Sequence, residues 1–305
     1  MNTPSNTVAQ PPLEPQAVTP TAMSETRPLY WSIRRELWEN RSIYIAPLVV
    51  AGVVLLAFLI ATIGRAVATA DLARKAAVLV EHNSFAAGVI MATAFIVGVF
   101  YCLDALHGER RDRSILFWKS LPVSDLTTVL SKASIPLVVL PLLTFAIIVV
   151  MQLIMLLLST AVLLMSGLSA ATLWTPLELL QKPLVLLYHL VTVHALWHAP
   201  IYAWLLLVSG WARRAVFLWA VLPVIAIQIV EKIAFNTSYI AALLGRRLAG
   251  PEGFHFTAPG SAPGHPMMTF DPANFLSTPG LWIGLAFAAA FLAAAVRLRR
   301  YREPI

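Results

Sequence analysis

The sequence predicts an all-α integral membrane protein that crosses the bilayer as about six helices, with both ends in the cytoplasm. Three observations lead there. Apolar residues make up 59% of the chain and charged residues only 12%, against about 25% charge in a soluble domain, so the polar surface that water demands is missing. Long uncharged runs recur along the chain, and mean hydropathy is +0.77. Lys and Arg also sort by side, which sets orientation in a bilayer.

Residues 1–28 hold six prolines among Thr, Gln and Ser. That composition buries too little surface to offset chain entropy and reads as a disordered cytoplasmic tail without the apolar core of a cleaved leader. Residues 29–305 then read as a single membrane domain. Leu29–Ser42 places Tyr30, Ile33 and Leu37 on one helical face, with Arg34, Arg35, Glu36 and Glu39 elsewhere and Trp31 and Trp38 suited to the headgroup zone. This pattern predicts a helix lying on the inner membrane surface.

The spans follow in order. Tyr44–Gly64 carries no charge and, at about 1.5 Å per residue, matches a hydrocarbon core of roughly 30 Å. The second span is Ser84–Leu103. The third, Ala133–Gly167, is longer than one bilayer needs, and Pro136 and Pro141 near its start predict a kink or a projecting first turn. Leu184–Gly210, Ala215–Val230 and Leu281–Val296 complete the set. With the N-terminus inside, fifteen of the 22 Lys and Arg residues fall on the cytoplasmic side, which favours that orientation. Phe235–Thr278 is then external: Tyr239–Leu248 has the pattern of a short helix, and the Pro- and Gly-rich remainder reads as an irregular loop.

Composition also removes function classes. The net charge of +7 sits in short clusters beside apolar runs, which reads as topology control and not as a nucleic-acid surface. Cys102 is the sole cysteine, so an intramolecular disulfide and a cysteine zinc site are both excluded. The chain has no G-x-x-x-x-G-K-[ST], H-E-x-x-H or G-x-S-x-G, so ATP hydrolysis by a phosphate loop and the simplest hydrolase chemistries are excluded.

Polar groups at membrane depth are few. His194 and His198 lie four residues apart on one helix face and are candidate metal or haem ligands, while His189 points about 140° from His194. The competing reading is interhelical hydrogen bonding. Gln152 and Gln228 either touch a substrate path or fasten helices together. Ser84, Gly88 and Ala92 form a small-residue stripe for close packing, within the bundle or across a dimer. Glu231 and Lys232 read as a solvated headgroup pair.

The connection from Leu103 to Lys132 is the most informative. Glu109–Arg113 is densely charged; Ile115, Leu116, Phe117, Trp118 and Leu121 add an apolar surface; and Pro122 stops the segment. Ser124 is placed to cap a helix beginning near Asp125. A short aromatic helix of this kind suits a groove on a partner protein, or equally the anionic inner leaflet.

The run ERRDRSILFWKSLPVSD, followed by SK at the head of span three, resembles the cytoplasmic loop of ABC-2 type permeases, the membrane subunits of bacterial type-2 ABC exporters. The stretch APIYAWLLLVSGWARRAVFLWAVLP resembles their fourth and fifth spans. The resemblance covers roughly residues 29–305. It implies a multi-pass protein of the bacterial inner membrane that is not itself an enzyme, paired with a second permease subunit (identical or paralogous). A separate ATPase subunit would bind ATP and Mg. It also implies that Glu109, Arg110, Arg111, Arg113, Ser114, Phe117, Trp118, Lys119, Leu121, Pro122 and Ser124 form the element coupled to that ATPase. The N-terminal helix, with Tyr30, Trp31, Arg34, Arg35 and Trp38, would share in transmission. The long external segment departs from a simple pair of gate helices. Alternative classes are a stand-alone secondary transporter, a membrane haem or metal protein using His194 and His198, and a membrane anchor for another complex.

Overall fold

A computed structural model describes residues 26–68, 72–120, 123–165, 174, 177–250 and 272–301. Most of the predicted tail, Leu121 and Pro122, the end of span three and the loop 251–271 lie outside these residues. Among the described residues the chain is helical and has no strand. Among the described residues six helical stretches are long and apolar enough to cross a membrane: Ser42–Thr62, Phe85–Arg111, Asp125–Met165, Leu179–Trp197, Val216–Phe235 and Pro279–Tyr301. The chain is in this sense a multi-pass membrane protein.

Helix α1 (Thr26–Glu39) is separated by a break at Asn40 from α2 (Ser42–Ala68). Its Ile33 and Leu37 pack into the core, whereas Tyr30, Trp31 and Trp38 are exposed, with Arg34 held 5.1 Å from both tryptophan rings. Helix α3 (Leu72–Ala105) leads into two short helices, α4 (His107–Arg111) and α5 (Ser114–Ser120). Helix α6 (Asp125–Ser134) starts where the sequence places it, with the Ser124 hydroxyl accepting from the Thr127 amide at 3.0 Å. It runs without a gap into α7 (Leu140–Met165) through a widened π turn at Ile135–Val139. Pro136 and Pro141 lack the amides that a regular helix needs there, and the wide turn absorbs the mismatch.

The fourth span differs from the expected single helix. It divides into α8 (Lys182–His189), a π stretch (Leu190–Trp197) and α9 (Ala199–Trp211). The break falls at His198, where Pro200 supplies no amide and the Val193 carbonyl receives the His198 amide instead. Helix α10 (Val216–Phe235) ends at Asn236 in a left-handed conformation and is followed by α11 (Tyr239–Ala249). The expected irregular segment contains one further helix, α12 (Pro272–Ser277), before α13 (Pro279–Tyr301).

Helix α9 is the axis of the bundle. It packs most extensively on α13 and also on α3, while α7 joins α2 and α3 in a second core. Within the bundle the packing seam of α3 runs through Ala86, Ile90, Ala94 and Gly98; of the small-residue stripe, Gly88 is buried and Ala92 is exposed. At Gly98 a Cβ would stand 3.1 Å from the Tyr202 ring, so the glycine sets the approach of α3 to α9. Helix α1 and α13 both pack on α6 at one end of the bundle, and α11 lies at the other.

Glu231 is not a solvated headgroup group. Its carboxylate accepts from the Thr237 hydroxyl (2.8 Å) and from the amides of Tyr239 (2.6 Å) and Ile240 (3.0 Å). These are amides without intrahelical partners at the start of α11, where a carboxylate also meets the positive end of the helix dipole. Replacing Glu231 by Gln is expected to cost about 1 kcal/mol locally. Hydrogen exchange should then quicken at Tyr239 and Ile240 while amides of α9 stay protected; unchanged exchange at those two would contradict the capping role.

Candidate functional site

The α1 end of the bundle holds a buried ionic cluster assembled from five elements. Lys132, on α6, is buried. Its ammonium donates to Glu36 of α1 at 2.8 Å and lies 3.1 Å from Glu109 of α4. Tyr101 of α3 donates its hydroxyl to the second Glu36 oxygen at 2.8 Å. Glu109 also receives Arg35 of α1 at 3.1 Å and the Arg299 guanidinium of α13. Arg299 reaches Asp125, at the start of α6, at 3.1 Å, and Arg35 closes the edge of the cluster on Glu39 at 2.8 Å.

Energetics explain why these groups sit together. Removing an ion from water costs several kcal/mol even after relaxation, and only close counter-charges with good hydrogen bonds offset that cost. Lys132 touches two carboxylates and Glu109 touches three cations, so neither is left alone. The more exposed edge pair, Arg35–Glu39, contributes little by comparison.

Arg110 fastens the same segment to α9. Its Nη1 donates to the Gly210 carbonyl at 2.8 Å and the Ala212 carbonyl at 3.3 Å, a cation on the negative end of a helix. Beside it the buried Ser209 hydroxyl accepts from the amides of Leu106 and His107 at 3.0 and 2.9 Å, where the break between α3 and α4 frees them. The link between α3 and α5 is therefore clamped on one side to α9 and on the other to α1, α6 and α13.

The residues named in the sequence separate into two groups. Glu109 and Arg110 turn inward, and Ser114 donates weakly to the Glu109 carbonyl at 3.4 Å. Arg111 pairs with Asp112 at the exposed surface, and Arg113 is exposed in a left-handed conformation that separates α4 from α5. On α5, Ile115 is 3% exposed and anchors the helix, while Leu116 and Phe117 are 59% and 61% exposed. Trp118 and Lys119 belong to α5, but their side chains lie outside the described residues. Glu36, Lys132 and Arg299, which the sequence places on a polar face or counts toward topology, and Asp125, which it places only at a helix start, are members of the cluster, while Tyr101, Ser209 and Gly210 have no role legible there.

At mid-bundle His194 and His198 do adjoin, with ring centroids 5.7 Å apart and Phe95 against both. His198 directs Nδ1 at the Val193 carbonyl (2.7 Å) and Nε2 at the Leu248 carbonyl (3.4 Å), so its ring ties the broken fourth span to α11. Nε2 of His194 is buried without a partner. Among the described residues no three His, Cys, Asp or Glu side chains converge as a metal site would require. Gln152 and Gln228 are half-buried and far apart in the chain, and neither hydrogen-bonds among the described residues. The chain matches no protein-family model, no curated protein and no solved structure.

Proposed function

We propose that this chain is the permease subunit of an ATP-driven exporter of the ABC-2 type, in which α5 is the element that a separate ATPase subunit moves. One observation carries the reading: α5 exposes Leu116 and Phe117 beside a charged cluster that joins α1, α4, α6 and α13 and, through Arg110, α9. A push on α5 is passed at once to helices on both flanks of the bundle, because buried ion pairs resist separation. Helix α1, with its exposed tryptophans, would ride on the inner leaflet and move with it. In this reading both chain ends face the cytoplasm of a bacterial inner membrane. Two permease copies, or this chain and a paralogue, enclose the export path, and ATP with Mg is bound by the partner.

The test is purification of the tagged chain from its native membrane in mild detergent, followed by mass spectrometry of co-purifying proteins. A stoichiometric nucleotide-binding subunit that is lost when Leu116 and Phe117 are replaced is the expected result. Recovery of the intact chain with no such subunit, under conditions that preserve other membrane complexes, would overturn it.

A further inference from the structure

A cavity of about 990 Å³ lies along α9 between α10 and α13 and is closed at one end by α11. That volume is at the top of the roughly 300–1,000 Å³ range of ligand sites. It exists because α10 leans on α9, α11 and α3 and makes no extensive contact with α13, so two candidate spans stand apart and leave a lateral groove. Between α10 and α13 the walls are apolar, with Val224, Ile227, Phe287 and Phe291, while Tyr188, His189 and Thr192 add polar groups from the segment that precedes α9. Both tryptophans in the wall are already satisfied, Trp204 by the Ala220 carbonyl and Trp197 by the Arg246 carbonyl. The stretch between α10 and α13 therefore offers a ligand mainly hydrocarbon contact.

The α11 end is different in kind. Arg247 turns from α11 toward the bundle and lays its guanidinium 4.4 Å from the Trp197 ring centroid. It donates to the Gly280 carbonyl at 3.0 Å. Gly284 makes room for it, since a Cβ at that position would coincide with the guanidinium. Among the described residues no carboxylate pairs with Arg247, and burial lowers its pKa from the ordinary value. A guanidinium has five N–H donors, and the hydrogen bond to Gly280 uses one of them. A partly desolvated cation with no carboxylate partner among the described residues, at the mouth of a largely hydrocarbon-lined groove, selects a ligand with both features: apolar chains and an anionic head. A soluble anion would leave the groove unfilled, and a neutral hydrocarbon would leave the cation unmatched.

The geometry points to a binding site for one anionic phospholipid of the surrounding membrane, its acyl chains along α9 between α10 and α13 and its phosphate on Arg247. The site stands apart from the exporter reading, since nothing in it requires an ATPase.

The experiment uses the purified, delipidated full chain titrated in detergent with phosphatidylglycerol or with diacylglycerol, which has the same chains and no phosphate, and retained lipid is counted by native mass spectrometry. Bromine-labelled acyl chains provide a second readout through tryptophan quenching. One phosphatidylglycerol should be retained about 10- to 100-fold more tightly than diacylglycerol, the margin of a charge-assisted hydrogen bond. Arg247→Gln should remove that preference and leave diacylglycerol retention unchanged. Arg247→Lys should keep much of the preference, which separates loss of charge from loss of folding. Ile227→Trp, which fills the groove, should weaken both lipids, and the Trp204→Phe variant should lose part of the bromine quenching. Equal retention of the two lipids, or an unchanged preference in Arg247→Gln, would overturn the assignment. So would displacement of phosphatidylglycerol by inorganic phosphate alone, which would mark a free-anion site, or a stable dimer whose second copy fills the groove.

Discussion

Replacing Glu109 by Gln should be the most damaging single change in this chain, at about 3–5 kcal/mol, because it strands buried positive charge. The carboxylate faces Lys132 and Arg35, each at 3.1 Å, and also Arg299. The amide keeps the shape and removes the charge. Lys132 would retain Glu36, and Arg299 would retain Asp125, yet Lys132, Arg35 and Arg299 would lose the one carboxylate they share, in a place largely closed to water. The cost should shrink when a cation is removed as well. Glu109→Gln combined with Lys132→Met is expected to be less harmful than the sum of the two single changes, with a coupling of about 1–3 kcal/mol. Equilibrium unfolding of the four proteins in one detergent measures that coupling. A Glu109→Gln loss below about 1 kcal/mol, or strict additivity, would mean that the charges are solvated and the cluster does not bind the helices together.

That cluster was only partly legible in the sequence, and the reason is geometrical. A charged residue near the end of an apolar run is equally consistent with a headgroup, a partner protein or a buried pair. Lys132 counts the same toward orientation in every case. Helical spacing held a finer signal: Glu36 lies between Ile33 and Leu37 on the face that enters the core, and Lys132 follows Val129 by three residues. Both positions predict inward-facing charge, provided that a counter-charge exists elsewhere. That proviso is a tertiary fact, since Glu36 and Lys132 are 96 residues apart and Glu109 and Arg299 are 190 apart.

The runs that set span existence were readable because hydropathy is local, as was the Ser124 cap before α6. The division of the fourth span was not. Three histidines and Pro200 mark the region, but a π stretch holds its place only through neighbours such as α7 and α13. The groove on α9 was invisible for the same reason, since a space between helices is a property of their packing and belongs to no run of residues.

The two faces of α5 should respond to truncation in opposite ways. Ile115 is 3% exposed, whereas Leu116 and Phe117 are 59% and 61% exposed. Ile115→Ala removes a core anchor and should destabilise the chain by about 2–5 kcal/mol, whatever partner is present. Phe117→Ala removes a mostly exposed side chain and should leave the chain's own unfolding within about 0.5 kcal/mol of the wild type. If α5 enters a groove on an ATPase, Phe117→Ala together with Trp118→Ala should instead cost about 2–4 kcal/mol of association. That weakens the complex by about 30- to 1000-fold and uncouples ATP turnover from the membrane subunit. Binding of the purified partner to reconstituted permease, measured beside thermal unfolding of the permease alone, separates the two effects. Tight binding and unchanged ATP turnover in the double variant would remove Phe117 and Trp118 from the coupling surface. A loss of permease stability matching the loss of binding would show that this face of α5 serves the fold. Loss of binding with stability intact is the outcome that the coupling reading expects, because Phe117 is exposed and Ile115, the buried anchor of α5, is untouched in the double variant.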